Sequence, residues 1–235
     1  MTDLRRQQAL QALGLGPVWR DRAAPAAALP DRADDVAALD WDALQARVAG
    51  CTACGLCQSR SRTVFGVGHR RAHWMLVGEA PGAEEDAQGE PFVGQAGRLL
   101  DQMLGSIALS RAGDDPVRTV FIANVLKCRP PGNRNPTPEE VARCEPYLIR
   151  QVALVRPRVV VVMGRFAAQS LLGTADAIAA LRGRGHVLRA GDWQVPVIVT
   201  YHPAYLLRNL ADKAKAWADL CLAQDLYAAA APPAR

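Results

Sequence analysis

The amino-acid sequence predicts an α/β fold in which a mostly parallel, four-stranded sheet is covered by helices on both faces. Four short apolar runs have the length of buried strands, and each is followed by a segment whose apolar residues have helical spacing. Strands that alternate with helices in this way form parallel sheets. The chain has 235 residues, of which 50% are hydrophobic, and is therefore long enough for one such domain.

The N-terminal part of the chain is predicted to stand apart from this domain. Residues 19–35 are rich in Ala, Pro and Asp, a composition typical of a linker. We therefore expect a partly flexible N-terminal extension over residues 1–45 and a folded domain over residues 46–235. Residues 39–50 have helical spacing, with Leu39, Leu44 and Val48 on one side, and this helix should end at Gly50.

The first two strands of the predicted sheet are followed by well-marked helices. Residues 73–80 are a short apolar run that ends in Gly and Pro, and residues 94–109 carry leucines at helical spacing. Residues 119–128 form the second predicted strand. The helix after it is marked by Thr137 as N-cap, Pro138 at the first helical position and Glu140, which closes a capping box.

The last two strands complete the sheet and fix where a ligand should bind. Residues 158–164 are apolar throughout, as expected when both faces of a strand are covered, and residues 166–173 continue as helix. Residues 195–203 form the fourth strand, and one last helix should run to about residue 227. Ligands bind beyond the carboxyl ends of parallel strands. Glu79, Asn124 and His202, which end three of these strands, should therefore meet at one edge of the sheet.

The net charge of +5 is concentrated in groups of basic residues at predicted turns and strand ends. The groups are Arg60, Arg62, Arg70 and Arg71; Lys127, Arg129 and Arg134; Arg182, Arg184 and Arg189; and Arg208 further on. Basic loops along one edge suit a polyanion, although ordinary solvated charges explain them equally well. No apolar run approaches the ~20 residues that span a bilayer, and the N-terminus lacks the apolar core of a signal peptide. We expect a cytoplasmic monomer that binds no membrane.

The six cysteines indicate a metal or cluster site, because thiols stay reduced in the cytoplasm. Cys51 and Cys54 form a C-x2-C chelating pair that cannot close a site alone. Cys128 ends a predicted strand and Cys144 lies in the capped helix. Four thiolates suit zinc or a [4Fe–4S] cluster equally well by ligand type. Cys57 extends the run to CxxCxxC, but the ferredoxin continuation x3-Cys-Pro is missing, so we interpret it as a lone thiol.

Four motifs occur in order along the chain: GEAPG-x2-ED, PFVG-x-AG, NVLKCRPPGNR and YHPAYLLR. A single glycine-rich turn such as GEAPG is weak evidence, since many such turns bind phosphate. Together with four cysteines at fitting positions, the motifs closely resemble the family 4 uracil-DNA glycosylases, the iron–sulfur branch of that superfamily. The resemblance covers residues 48–228. It implies a three-layer α/β/α sandwich that hydrolyses the N-glycosidic bond of uracil in DNA and leaves an abasic site.

The resemblance also implies which residues hold the cofactor and the base. The cluster would be held by Cys51, Cys54, Cys128 and Cys144, and the uracil pocket would comprise Gly78, Glu79, Ala80, Phe92, Asn124 and His202. In that pocket Phe92 stacks on the base, Asn124 reads its edge and His202 faces its O2. Uracil must be flipped out of a duplex at a cost of a few kcal/mol, which an aromatic face and an amide with one donor and one acceptor group help to repay.

The cleavage step needs a group that stabilises the uracil anion and a group that activates water. His202 is placed to donate a hydrogen bond to the developing charge on O2. Better-known uracil glycosylases carry an Asp where this chain has Ala80, so the water must be activated by another residue. The candidates are Glu79, Asp86, Asn133 and, next to Asp86, Glu85. A carboxylate could orient the water, and Asn133 could hold it by hydrogen bonds. The acidic run before Ala87 also suits a helix N-terminus.

The predicted DNA contacts lie in the basic groups and after His202. They are Arg62, Arg129, Arg134 and Arg208 on phosphates, with Leu206 or Leu207 as the wedge that fills the gap left by the flipped base. The competing interpretation places both leucines in the core at the first turn of a helix. The expected partner is uracil-containing DNA, single- or double-stranded. The alternative function is a non-catalytic or redox-sensing iron–sulfur DNA-binding protein on the same fold, which would bind such DNA and release nothing.

Overall fold

A computed structural model describes residues 32–230 of the chain. The helices are α1 (Arg32–Ala37), α2 (Trp41–Ala49), α3 (Ala83–Gln88), α4 (Gln95–Ser106), α5 (Pro138–Val155), α6 (Arg165–Leu172), α7 (Ile178–Leu181), α8 (Pro203–Leu206) and α9 (Lys213–Ala229). The strands are β1 (Val67–Gly68), β2 (Trp74–Gly78), β3 (Val120–Asn124), β4 (Val159–Met163), β5 (Gly185–Ala190) and β6 (Trp193–Thr200). Short 3-10 turns cover Gly55–Gln58, Pro131–Asn133 and Leu210–Asp212.

The six strands form one mixed sheet in the order β1-β3-β2-β4-β6-β5. The four central strands are parallel to one another, which confirms the four predicted strands and their direction. The two edge strands, β1 and β5, are antiparallel to their neighbours and were not predicted. The sheet is therefore wider than expected, and the α/β fold class is confirmed.

Alternating residues of the strands face two separate hydrophobic layers. On one face, Met75 and Val160 pack with Leu148 of α5 and Ala168 of α6. On the other face, residues such as Leu76 and Val161 pack with side chains of α4 and α9. Helices thus cover both faces, as the uninterrupted apolar sequence of β2, β3 and β4 predicts.

The two ends of the chain differ from the prediction in detail. The predicted last helix is interrupted: α8 ends at Leu206, a 3-10 turn follows, and α9 begins at Lys213. Residues 1–31 of the expected extension lie outside the described residues. Of its remaining residues, Val36 and Leu44 are buried in the same hydrophobic layer as Val48. Between residues 32 and 230 no helix has both the length and the hydropathy required to cross a membrane.

Candidate active site

The carboxyl ends of the parallel strands open into a pocket of about 450 Å³. Glu79 follows β2, Asn124 ends β3 and His202 follows β6, and all three line this pocket, as the fold prediction required. The pocket is completed by residues of the loops and helix starts that follow these strands, namely Ala80, Pro81, Gly82, Glu85, Phe92, Ala96, Pro130, Asn133, Arg134, Asn135, Ala204 and Arg208. The predicted base-binding residues are therefore neighbours in space.

Phe92 forms an aromatic wall of the pocket, and two glycines make room for it. Its ring lies 5.3 Å from the His202 ring, centroid to centroid, at an angle of 27°. A Cβ at Gly78 would stand 2.7 Å from Phe92 Cζ, and a Cβ at Gly97 would stand 1.7 Å from the Phe92 carbonyl oxygen, so neither site accepts a side chain without movement. Phe92 itself has a positive φ of 57°, an uncommon conformation for a bulky residue that the surrounding loop must enforce.

Glu85 fixes this loop by bridging its two halves. One carboxylate oxygen accepts a hydrogen bond from Gly82 N at 3.0 Å and the other from Val93 N at 3.2 Å. The GEAPG turn and the segment that carries Phe92 are therefore held together by a single side chain. Both oxygens of Glu85 are occupied by backbone N–H groups, which favours a structural role over water activation.

Asn124 presents an acceptor to the pocket that has no partner among the described residues. The residue is 2% exposed, and its Oδ1 is buried without a hydrogen bond. A Cβ at Gly78 would stand only 2.4 Å from this oxygen. A buried acceptor without a partner costs about 1–3 kcal/mol, a cost that a ligand donor would remove.

His202 is held in one orientation by the helix that follows it. Its Nδ1 accepts a hydrogen bond from Ala204 N at 3.1 Å, so the neutral ring carries its proton on Nε2. Burial and the nearby Arg208 lower the pKa of His202 to about 4. A neutral imidazole with an Nε2–H donor is therefore the form present at neutral pH. Gly164 leaves space for this side chain, since a Cβ there would meet His202 Cβ at 3.2 Å.

Of the candidates for water activation, Glu79 and Asn133 line the pocket, whereas Asp86 does not. Burial raises the pKa of Glu79, and Arg165 opposes that shift. Asp86 is 4% exposed, and both of its carboxylate oxygens accept a hydrogen bond from Ser61 N at 3.0 Å. The oxygens of Asp86 attach the segment at Ser61 to α3, which favours a structural role for Asp86 over the predicted catalytic one.

The loop that contains Asn133 is ordered by its own charged residues. Arg129 Nε donates to Asn133 Oδ1 at 2.8 Å, and Arg134 forms a two-pronged ion pair with Glu140, at 2.9 and 2.6 Å. Two residues with positive φ, Gly132 at 63° and Asn133 at 55°, turn the chain here. Arg134 and Glu140 thus connect the loop to the N-terminus of α5, whose predicted capping box is present.

The predicted wedge must be reassigned between two neighbouring leucines. Leu206 is 1% exposed and packs with Tyr201 and Ala216, which agrees with the competing interpretation that places this residue in the core. Leu207 is 39% exposed and lies between this core contact and Arg208. Of the predicted phosphate contacts, Arg62 and Arg208 are exposed, and Arg129 is half-buried.

A second cavity is lined by cysteines. Cys51, Cys54, Cys128 and Cys144 all line it, together with Cys57, which the sequence had suggested was a lone thiol. Hydrogen-bond donors reach three of the sulfurs: Tyr147 Oη reaches Cys51 Sγ at 3.4 Å, Arg60 Nη1 reaches Cys128 Sγ at 3.1 Å, and Lys127 N reaches Cys144 Sγ at 3.2 Å. Burial raises the pKa of Cys144 to about 12, so a thiolate there requires positive charge beside it.

The structure gives two residues roles that the sequence interpretation did not include. The sequence places Lys127 in a group of surface charges, but it is 1% exposed, and burial lowers its pKa to about 8. Its position between Leu126 and Cys128, both of which are buried, was the available signal. Gly97 belongs to a predicted helix, and an isolated glycine in a helical pattern indicates a close approach, here of the Phe92 backbone.

Comparisons with known proteins agree with the geometry. The model of the uracil DNA glycosylase superfamily matches residues 65–221. The chain is 45% identical to the type-4 uracil-DNA glycosylase of Archaeoglobus fulgidus over 170 residues, which is 71% of this chain and 82% of the relative. It is 39% identical over 188 residues to the enzyme of the same name from Pyrobaculum aerophilum, covering 78% and 93%, and 41% identical over 169 residues to that of Thermotoga maritima, covering 71% and 83%. The chain belongs to the uracil-DNA glycosylase superfamily and, within it, to the type-4 family.

Proposed function

We propose that the chain is a monofunctional uracil-DNA glycosylase, which hydrolyses the N-glycosidic bond of uracil in DNA and leaves an abasic site. The main observation behind the proposal is that Phe92, Asn124 and His202 line one pocket. The relatives of the chain are named type-4 uracil-DNA glycosylases, which agrees with this pocket. Non-catalytic DNA binding, the alternative function, is not favoured because the pocket holds groups suited to each step of the reaction.

Recognition of the base would use the aromatic wall and the buried amide. The base must leave the duplex to reach the pocket. The face of Phe92 would stack on it, and Asn124 Oδ1 would accept the hydrogen bond of uracil N3–H while its Nδ2 donates to O4. That acceptor is buried and has no other partner among the described residues, so the base would supply the missing hydrogen bond.

Cleavage of the bond would be assisted by His202. When the bond between the sugar C1′ and uracil N1 breaks, its electron pair stays with uracil, and negative charge develops on O2. The neutral ring of His202 would donate its Nε2–H to that oxygen, an arrangement that its bond to Ala204 N supports. One such donor is typically worth about 10²–10³ in rate.

Water would then attack the sugar cation with help from Glu79 and Asn133. The raised pKa of Glu79 makes its carboxylate a stronger base than an exposed one. It would take the proton of the water as the oxygen bonds to C1′. Asn133 would position the water through its side-chain amide. No lysine lines the described pocket, which is consistent with hydrolysis without a Schiff base.

The cysteine-lined cavity would hold a [4Fe–4S] cluster through Cys51, Cys54, Cys128 and Cys144, whose role is to cross-link these segments. Four thiolates on one zinc ion would stand within about 4 Å of one another. Between residues 32 and 230 no three His, Cys, Asp or Glu side chains are arranged to hold a single ion, whereas the cavity gathers all four thiols. Thiols spread around a cavity suit a cluster better than one ion.

The protein would act as a monomer, and its substrate, single- or double-stranded DNA, would cross the mouth of the pocket. Leu207 would fill the gap left by the flipped base, and Arg62, Arg129, Arg134 and Arg208 would contact phosphates. Arg134 would do so while paired with Glu140. The division of the chain at residue 46 and the cytoplasmic location stay predictions.

The experiment is an excision assay with oligonucleotides that carry uracil or another deaminated base, single- and double-stranded. The iron-loaded protein should release uracil without added metal, and alkali should be needed to cut the strand. Asn124→Ala should abolish release and leave the affinity for DNA nearly unchanged. Binding without release by the iron-loaded wild type would support the non-catalytic alternative instead.

A further inference from the structure

We propose that Lys127 is a positioning residue for Asn124 and physically links the base pocket to the cysteine-lined cavity. The inference rests on the proposed function, because it takes Asn124 as the group that reads the base. Lys127 lies in the segment between the two sites and lines the cavity of the cysteines.

The contacts of the lysine side chain lead toward the pocket. Nζ donates to the carbonyl oxygen of Asn124 at 2.8 Å and to Gln151 Oε1 at 2.6 Å. Gln151 is fully buried, and its Nε2 donates to the carbonyl oxygen of Phe65 at 2.9 Å. The second bond fixes which end of the Gln151 amide faces the lysine. Lys127 is thus held by a partner that is itself held from another segment.

The position of Asn124 depends on its backbone contacts, since its side-chain oxygen makes no hydrogen bond that would hold it in place. Asn124 Oδ1 makes no hydrogen bond with the described residues, so the backbone must aim it. The next two backbone N–H groups, of Val125 and Leu126, donate to the carbonyls of Gly78 and Glu79, both at 3.0 Å. The hydrogen bond from Lys127 Nζ holds the Asn124 carbonyl in place and thereby fixes the direction of the Asn124 side chain.

A buried ammonium is costly unless charge or hydrogen bonds compensate it. Within residues 32–230 no salt bridge to a carboxylate reaches Lys127, so its ammonium is compensated by the hydrogen bonds to Asn124 and Gln151. Its backbone N–H also donates to Cys144 Sγ at 3.2 Å. The backbone of Lys127 therefore contacts the cysteine site while its ammonium contacts Asn124, which joins the two sites through one residue.

The test compares Lys127→Met with Thr119→Val. Methionine keeps the length and apolar stem of lysine but cannot donate to Asn124. Thr119 is 2% exposed and precedes the other end of the same strand, where its hydroxyl donates to the Asp115 carbonyl. Rates are divided by the concentration of iron-loaded protein. Lys127→Met should then lower kcat for uracil release about 10- to 100-fold and weaken inhibition by free uracil. Its KM for DNA should stay within about twofold of the wild-type value. Thr119→Val should keep the wild-type values.

A second variant covers the case in which Lys127→Met loses its iron. Gln151→Met removes one acceptor of Nζ and touches no cysteine, and it should lower kcat and uracil inhibition in the same direction, by about threefold or more. The proposal would be overturned if either iron-loaded variant, Gln151→Met or Lys127→Met, had the kcat and the uracil inhibition of the wild type. An inactive wild type would instead refute the proposed function.

Discussion

Replacing Gly78 by Ala should disable the base pocket while the fold persists. Gly78 ends β2 opposite Asn124 of β3, next to two residues that line the pocket, Asn124 and Phe92. A Cβ built there would stand 2.4 Å from Asn124 Oδ1, 2.7 Å from Phe92 Cζ and 2.9 Å from Phe92 Cε2. The methyl group would therefore strike both walls that are proposed to hold the uracil base.

The size of the effect follows from these distances. Ordinary contact begins near 3.4 Å, so the Asn124 oxygen would have to retreat by about 1 Å and the Phe92 ring by about 0.7 Å. A misplacement of about 1 Å costs about 100-fold in rate, or about 2.7 kcal/mol of transition-state stabilisation. Crowding of a packed site should also lower the free energy of unfolding by about 1–3 kcal/mol.

The assay is single-turnover uracil release, with binding to abasic DNA and urea unfolding measured in parallel. Gly78→Ala should bind abasic DNA within about threefold of the wild type and release uracil about 100-fold more slowly. Gly105→Ala is the matched control, because Gly105 lies in α4 and a Cβ added there would meet no atom within 4 Å. This control should be as active as the wild type and slightly more stable. A Gly78→Ala protein with wild-type release would refute the placement of the base between Asn124 and Phe92.

Three further perturbations test separate parts of the site. His202→Ala should slow release about 10²–10³-fold. Folding lowers the pKa of His202 from 6.5 to about 4, so between these pH values the unfolded chain binds more protons than the folded protein. The free energy of unfolding in urea should therefore decrease as the pH falls from 6.5 to about 4. A free energy that does not change with pH in this range would contradict the burial of the ring. Cys144→Ser should lose iron and unfold, whereas Cys57→Ser should keep its iron. If iron analysis found iron in Cys144→Ser and none in Cys57→Ser, Cys57 would be the ligand and Cys144 would not. Leu207→Ala should slow release from duplexes about tenfold more than from single strands, and equal slowing would remove the wedge.

The sequence predicted the four central strands because burial on both faces leaves an unbroken apolar run, as in residues 158–164. It did not predict the edge strands, for two physical reasons. β1 has two residues, too few for any periodic signal. β5 alternates exposed and buried positions and includes His186 and Arg189, because one face of an antiparallel edge strand meets solvent.

The candidate site was predictable where a residue's place follows from the topology, and not where it depends on a tertiary contact. Glu79, Asn124 and His202 end parallel strands, so their convergence follows from the strand order. Asp86 is one carboxylate in an acidic run, and its burial and its contact with Ser61 N, which distinguish it from its neighbours, exist only in the folded protein. Leu206 and Leu207 are adjacent and chemically identical, so the choice between core and surface depends on the packing of α8.

The position of the cysteine site follows from the same local architecture. Cys128 lies four positions after Asn124, a distance of at most about 14 Å along the chain. In this interval Val125 and Leu126 bind the backbone that follows β2, and the Lys127 carbonyl accepts a hydrogen bond from Val64 N at 2.8 Å. Because these hydrogen bonds hold the segment on both sides, a cross-link at Cys128 would stiffen it, and its other end carries Asn124, the residue proposed to read the base. The proposed cluster, which has no part in bond cleavage, would then support catalysis by limiting how far Asn124 moves when a base enters the pocket.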